Sequence, residues 1–337
     1  MSRELELYDV TIIGGGPVGL FTAFYSGMRE MKTKIIEFLP FLGGKVPYFY
    51  PEKIIRDVGG IPHISGEEFT ENLIEQAMTF DPTVVLEQQI TKMKRLDDGT
   101  FLLTSHNGTN HLTKTVILAT GYGTLQSVKL DLPEANHFEG TSLHYHINKL
   151  NSYAGKHVLI SGGGNSAIDW ANELEPIAET VSVVYRKPDF SGIESNITKM
   201  KNSSVRVFSP FEMIELKGSN GQISSVVIKE VGSNKLEEIT IDSVIVNHGF
   251  IIDLGSITEW GMVMNNGTIQ VNHTMATSIP GIFAVGDIAN YEGKLNLIAG
   301  GFNEGPIAVN HAKLHIAPKE ELKPIYSTNY EPLMKNN

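Results

Sequence analysis

The chain has 337 residues, 41% of them apolar and 19% charged, with a formal net charge of -11 and a pI near 5.5. That length suggests two domains or so, and the acidic balance argues against a general nucleic-acid or anionic-membrane surface. The absence of cysteine excludes disulfides, thiolate nucleophiles, Cys-ligated zinc or iron–sulfur clusters and any dithiol relay.

The N-terminus runs directly into a strand, with no charged region leading into an apolar one. No apolar run approaches the ~18 residues that span a bilayer. A soluble, cytoplasmic protein is expected. The 11 histidines show no ligand spacing with acids, so no metal site is expected.

Residues 7–13 (LYDVTII) form a β-rich apolar run. A glycine cluster follows, then apolar residues at helical spacing over 17–29, then a second strand over 33–38 (TKIIEF). This is a βαβ unit. Glu67, Glu68 and Glu71 read as the solvated start of a helix, where acids suit the dipole. Met28, Met31 and Met78 read as core filling.

The pattern returns with a strand over 157–161 (HVLIS), a glycine run, a helix over 165–174 and a strand over 180–185 (TVSVVY). Two apolar strands end in glycine-containing turns, over 115–123 (TVILATGYG) and 243–250 (SVIVNHGF). They mark where one domain leaves the other and returns. The fold expected is α/β: two Rossmann-like, three-layer ββα dinucleotide-binding domains, the second inserted in the first. The domains are read as 1–123 with 248–317, and 124–247. Residues 318–337 form a polar tail, with Pro318 and Pro324, that covers something or stays disordered.

The first turn, GGGPVG, places Gly14, Gly16, Pro17 and Gly19 in a G-x-G-x-x-G frame. The glycines allow a tight turn, close approach of backbone to a pyrophosphate, and close packing of helix on strand. Glu37, 23 residues after Gly14, ends the next strand and can accept from ribose hydroxyls. The second turn, GGGNSA, places Gly162, Gly164, Asn165, Ser166 and Ala167 in the same frame. Its next strand ends in Tyr185-Arg186-Lys187. A guanidinium can bind a 2′-phosphate that a carboxylate would repel. The first site therefore suits FAD or NAD, and the second suits NADPH. Together they imply hydride transfer from NADPH to a flavin. A third run, 277–287 (TSIPGIFAVGD), delivers Gly286 and Asp287 into a turn where Asp287 can bind a ribityl chain. A helix over 299–315 follows and aims its positive end at the flavin.

GGGPVG, ATGYG (119–123), GGGNSA and GIFAVGD occur in the same order in thioredoxin-reductase-like flavoproteins. Within that group the chain resembles bacterial ferredoxin/flavodoxin–NADP reductases over essentially its whole length. Further matching segments are YPEK (50–53), WANELEPIA (170–178), YEGKLNLIA (291–299) and AVNHA (308–312). Thioredoxin reductases carry a Cys-x-x-Cys before the second turn; the matching stretch here, 141–155, has none. The resemblance implies FAD contacts at Glu37, Lys45, Tyr50, Ile90, Gly121, Leu125, Gly286, Asp287, Ser327 and Thr328. It also implies that Tyr50 stacks on one face of the flavin and Tyr326, in the tail, lies near the other. Relatives more often show Gln at Lys45, Phe at Leu125 and His at Tyr326, and a second Arg where this chain has Ser191. The resemblance implies a homodimer whose domains rotate to bring the two rings together, with ferredoxin or flavodoxin as partner. Such carriers are acidic, so a local positive face is required; Lys45 and Lys53 are candidates because they lie near Tyr50.

No catalytic side-chain acid or nucleophile is expected, because alignment and electrostatics suffice for hydride transfer. Two other readings stand beside this one. FEGTSLH (138–144) matches the start of a flavin-monooxygenase signature, but Asn148 occupies its final aromatic position. A non-enzymatic redox-sensing nucleotide binder would not need two intact turns.

Overall fold

The computed structural model describes residues 5–321 and 326–330, with the side chains of 124, 125 and 252 also outside the described set. The chain divides into two compact units, Met1–Thr124 with Ile252–Asn337, and Leu125–Ile251.

The first unit opens with strand β1 (Leu7–Ile13), helix α1 (Pro17–Met28) and strand β2 (Thr33–Ile36). Helix α1 buries Leu20, Ala23, Phe24 and Met28, Leu20 and Ala23 within the core that holds the sheet. Each fully buried Leu- or Met-sized side chain contributes roughly 1.5–3 kcal/mol. A short helix α2 (Lys45–Phe49) and a longer α3 (Gly66–Met78) follow. Ser65 caps α3 by accepting from Glu68 N, and Glu67 and Glu68 occupy its first turn, where their charge opposes the helix dipole. Strands β3 (Thr83–Val85), β4 (Ile90–Arg95), β5 (Phe101–Ser105) and β6 (Asn110–Leu118) complete this segment. The sheet order is β3-β2-β1-β6-β5-β4. Strands β3, β2, β1 and β6 run parallel, while β5 and β4 return antiparallel from β6. Strand β7 (Thr124–Ser127) then leaves the unit.

In the second unit, strands β8 (Leu143–His144), β9 (His157–Ser161), β10 (Thr180–Val184) and β11 (Arg206–Phe208) belong to one parallel sheet. Helix α4 (Asn165–Leu174) joins β9 to β10, and α5 (Glu194–Lys201) joins β10 to β11. An antiparallel meander follows: β12 (Phe211–Ser219), β13 (Gln222–Glu230) and β14 (Leu236–Thr240). Strand β15 (Ser243–Val246) then enters the parallel sheet between β8 and β9. Met213, Leu216, Val226 and Ile228 of the meander share one buried cluster with Leu143, Leu159, Val184 and Val244 of the parallel sheet. Helix, parallel sheet and meander are the three layers that the sequence implies for this fold.

Strand β16 (Phe250–Asp253) pairs with β7, so the outgoing and returning crossings form a two-stranded ribbon. Strand β17 (Ile282–Ala284) re-enters the first sheet parallel to β6, with Ala284 opposite Leu118. Helix α6 (Ile298–Ile316) closes the unit against α1. Ile13 lies level with both Ile36 and Leu118. The carboxyl ends of β1, β2, β6 and β17 therefore share one edge of the sheet. That edge is where ligands of open α/β sheets bind.

Candidate functional sites

The first turn leaves that edge from β1. Gly14 sits at φ +108°, and a Cβ there would lie 2.4 Å from the Ala119 carbonyl oxygen. A Cβ at Gly19 would lie 2.0 Å from the Gly14 oxygen, so helix and turn touch through bare backbone. Gly16 is the N-cap of α1, with no side chain capping it and Pro17 following. A Cβ at Gly16 would meet only the Gly44 Cα, at 4.0 Å. The uncapped helix end thus faces open space, which suits an anionic group.

Glu37 follows β2 and is only 7% exposed. Its carboxylate accepts from Gly15 N at 2.6 Å and Leu39 N at 2.9 Å. Burial raises its pKa, and these backbone donors oppose the rise. Each carboxylate oxygen keeps lone-pair capacity for a ribose hydroxyl.

Lys45 opens α2, and Tyr50 caps its C-terminus. The Lys45 Nζ is buried without a hydrogen-bond partner. It lies 4.8 Å from the Tyr122 ring centroid, and burial holds its pKa below the ordinary lysine value. Tyr50 is half-buried and packs on the core of the unit, which pushes its phenol pKa up. Gly121, at φ +59°, carries the chain past Lys45. Gly286 and Asp287 form a single 3₁₀ turn after β17. Burial raises the Asp287 pKa, partly offset by Lys45 and Lys294.

The Gly286 turn is held by a residue that sequence reasoning missed. Glu304, on α6, is 1% exposed. Its carboxylate accepts from Gly286 N at 2.7 Å, from Tyr291 OH at 2.8 Å and from the Lys294 ammonium. Burial and this carboxylate push the Tyr291 phenol up to about 12. The only signal was a charged residue within the small and apolar run GGFNEGPIAV (300–309).

Ile90 begins β4 and is buried in the core. The Leu125 side chain lies outside the described residues, as does Pro324. Ser327 and Thr328 are exposed in a short 3₁₀ turn, and Tyr326 is 62% exposed. Tyr330 packs edge-on against Phe80, with ring centroids 5.7 Å apart. Phe80 in turn lies against Gly27, about 16 Å along α1 from Gly16 at the usual helical rise. Among the described contacts, nothing draws Tyr326 to Tyr50.

The second turn leaves β9. Gly162 sits at φ +151°, and its Cβ would lie 2.5 Å from the Asn247 oxygen. Gly164 caps α4 with no side-chain bond, and a Cβ there would meet nothing within 4 Å. Asn165 and Ser166 are exposed while Ala167 is buried. The Asn165 Oδ1 accepts from Ile193 N at 2.9 Å, tying the turn to the loop after β10. Arg186 and Lys187 stand exposed on that loop. Tyr185 stacks obliquely on Phe190, ring centroids 5.3 Å apart. Two neighbours of this turn were not singled out by sequence. The Asn247 Oδ1 is buried without a partner. The His248 Nε2 pairs with Ser161 Oγ at 2.8 Å, and burial, with a smaller push from Arg186, lowers its pKa.

The segment weighed as a monooxygenase signature is structural. Phe138 is 5% exposed, and His144 meets the Tyr153 ring edge-on at 6.1 Å. Burial holds the pKa values of His144 and His146 below the usual histidine range.

Two uncapped glycine turns at the carboxyl ends of the parallel strands of two sheets, each with its own closing charges, define a protein with two dinucleotide sites. The chain belongs to the pyridine nucleotide-disulphide oxidoreductase family, matched over residues 8–312. It is 53% identical to ferredoxin–NADP reductase 1 of Bacillus velezensis, over 99% of each chain. It is 47% identical to ferredoxin–NADP reductase 1 of Listeria monocytogenes, over 97% of this chain and 98% of the relative. Among solved structures, thioredoxin reductase from Lactococcus lactis superposes with a TM-score of 0.77 at 24% identity, covering 92% of this chain and 99% of that one. At that identity the likeness speaks to fold alone.

Proposed function

We propose that this chain is an FAD-dependent oxidoreductase that passes electrons between NADPH and a one-electron carrier, ferredoxin or flavodoxin, without a dithiol relay. The observation that carries the proposal is the pair of glycine turns closed by opposite charges: a buried carboxylate at one, exposed cations at the other. The named relatives support the carrier class, and the cysteine-free sequence requires that electrons leave the flavin directly.

FAD supplies acceptance of two electrons as hydride and their release one at a time. Gly14, Gly16, Pro17 and Gly19 cradle the diphosphate in the first unit, and Glu37 accepts from the adenine ribose. The open space over Gly16 and the unpartnered Lys45 Nζ support this fit. By the resemblance, Tyr50 would stack on the flavin ring, and Gly121, Gly286 and Asp287 would line the ring and its ribityl chain. Ile90, Leu125, Tyr326, Ser327 and Thr328 are assigned to the same site by resemblance alone. In the second unit, Gly162, Gly164, Asn165, Ser166 and Ala167 hold the NADPH diphosphate. Arg186 and Lys187 bind its 2′-phosphate. No side chain donates or removes a proton in hydride transfer; the chain aligns the two cofactors and excludes water. The working form is taken as a cytoplasmic homodimer. Among the described residues no helix is long and apolar enough to cross a membrane.

Stopped-flow mixing with NADPH and then with ferredoxin or flavodoxin tests the proposal. Flavin absorbance should bleach with NADPH and return with the carrier. Return with small quinones alone would remove the carrier assignment. Purified protein that takes up no flavin would end the reading altogether.

A further inference from the structure

We propose that the Lys45 ammonium is a charge-tuning group of the flavin cradle, facing the flavin ring and stabilising the negative charge that the ring gains on reduction. This rests on reading the first site as an FAD site, and identifies which of its residues shifts the redox balance.

An ammonium group is costly to bury unless something anionic meets it. The Lys45 Nζ is buried with no hydrogen-bond partner. Its surroundings are built to leave it so. A Cβ at Gly121 would lie 3.2 Å from the Nζ and 3.7 Å from the Cε, so bare backbone lets the side chain pass. The Tyr122 ring face lies 4.8 Å away and offers a weak cation–π contact. The Asp287 carboxylate attracts the ammonium through space, but no hydrogen bond joins them. Burial holds the Lys45 pKa below its ordinary value, as expected of a cation still lacking its counter-charge.

Two parts of FAD could supply that charge. The diphosphate already has the uncapped N-terminus of α1. Lys45 instead starts the helix that ends at Tyr50 and points to the turn after β6, beside Asp287. Hydride transfer adds two electrons and one proton to the ring, leaving it a monoanion as NADPH becomes NADP+. A cation beside the ring favours that anion and raises the potential of the bound flavin. A neutral residue at 45 would leave the flavin harder to reduce.

The test compares flavin-loaded wild type with Lys45→Gln, Lys45→Met and Lys45→Arg. Sulfite, which forms an anionic adduct with oxidised flavin, is titrated into each. The flavin midpoint potential is read by equilibration with a reference dye. Lys45→Gln and Lys45→Met should bind sulfite at least tenfold more weakly. Their two-electron potential should fall by about 30 mV for each tenfold change in the reduction equilibrium. Lys45→Arg should stay near wild type, which also controls for misfolding of the neutral variants. Weaker FAD binding with an unmoved potential would assign the cation to the diphosphate and overturn the proposal. Unchanged potential and unchanged FAD affinity would reduce Lys45 to a packing residue. Failure of wild type to take up flavin overturns this proposal and the reading of the site together, and is recognised because all variants then fail alike.

Discussion

The two glycine turns share a frame but differ in how their charges are kept. At the first, Glu37 is 7% exposed and Glu304 is 1% exposed, each bonded to backbone donors. At the second, Arg186, Lys187, Asn165 and Ser166 all stand exposed. Buried charge is expensive unless partners meet it; Glu37 and Glu304 have donors in place, whereas the buried Lys45 Nζ has none. Exposed charge is cheap to hold and easy to release, because water competes for it. On the proposed reading, the first turn suits a resident cofactor and the second a substrate that comes and goes. The difference lies in the burial of the closing groups more than in their sign.

The largest expected effect is at Glu304. Lys294 and Glu304 form an ion pair with side chains 8% and 2% exposed. Removing one partner of such a pair costs about 3–5 kcal/mol, because the other charge is left buried alone. Glu304→Gln should lose that much in urea unfolding, with reduced flavin content. Glu304→Gln combined with Lys294→Met should recover much of the loss, since the stranded cation is removed as well. Equal stability of Glu304→Gln and wild type would show that the Gly286 turn does not depend on this network. Next comes Glu37→Ala, which strands the Gly15 and Leu39 N–H groups. A buried donor without an acceptor costs about 1–3 kcal/mol. Melting temperature should fall, and the ratio of flavin to protein absorbance should drop well below wild type. Glu37→Gln keeps one acceptor and should fall between. If Glu37→Ala purified with full flavin, the contrast between resident and exchanging sites would collapse.

The sequence showed both turns because their requirements are local. Each glycine motif, GGGPVG and GGGNSA, occupies six consecutive positions at the junction of a strand and a helix, and nothing distant is needed to see it. Glu37 and Arg186 were equally legible as charged residues just past the next strand, one residue beyond Ile36 and two beyond Val184. Strand ends were less so. Strand β2 stops at Ile36 where apolar pattern ran to 38, although Glu37 N still donates to Val85 O while its carboxylate accepts from Gly15 N. Glu304 was invisible because its partners, Gly286 and Tyr291, lie 18 and 13 residues away and meet it only once α6 packs. The idle Lys45 Nζ was invisible for the opposite reason, that an absent bond leaves no pattern. The tail was expected over the flavin on resemblance. Its described part sets Tyr330 on Phe80, an edge contact that no spacing in the last twenty residues foretells.

The smallest effect sharpens the comparison from the other side. Arg186→Ala with Lys187→Ala removes cations that stand in water and hold no buried partner in place. Folding stability and flavin content should therefore match wild type. What should change is the binding of one phosphate. A charge-assisted bond to it is worth roughly a 10–100-fold change in affinity when made well. KM for NADPH should rise by about that factor with kcat nearly unchanged, the pattern of an interaction made equally in ground and transition states. KM for NADH should stay put, because NADH has no 2′-phosphate. Raising the salt should shrink the difference between wild type and variant, since exposed charges are screened within about a Debye length. A fall in kcat with KM constant would place these cations in the transition state. The second turn would then no longer be a docking point for an exchangeable substrate.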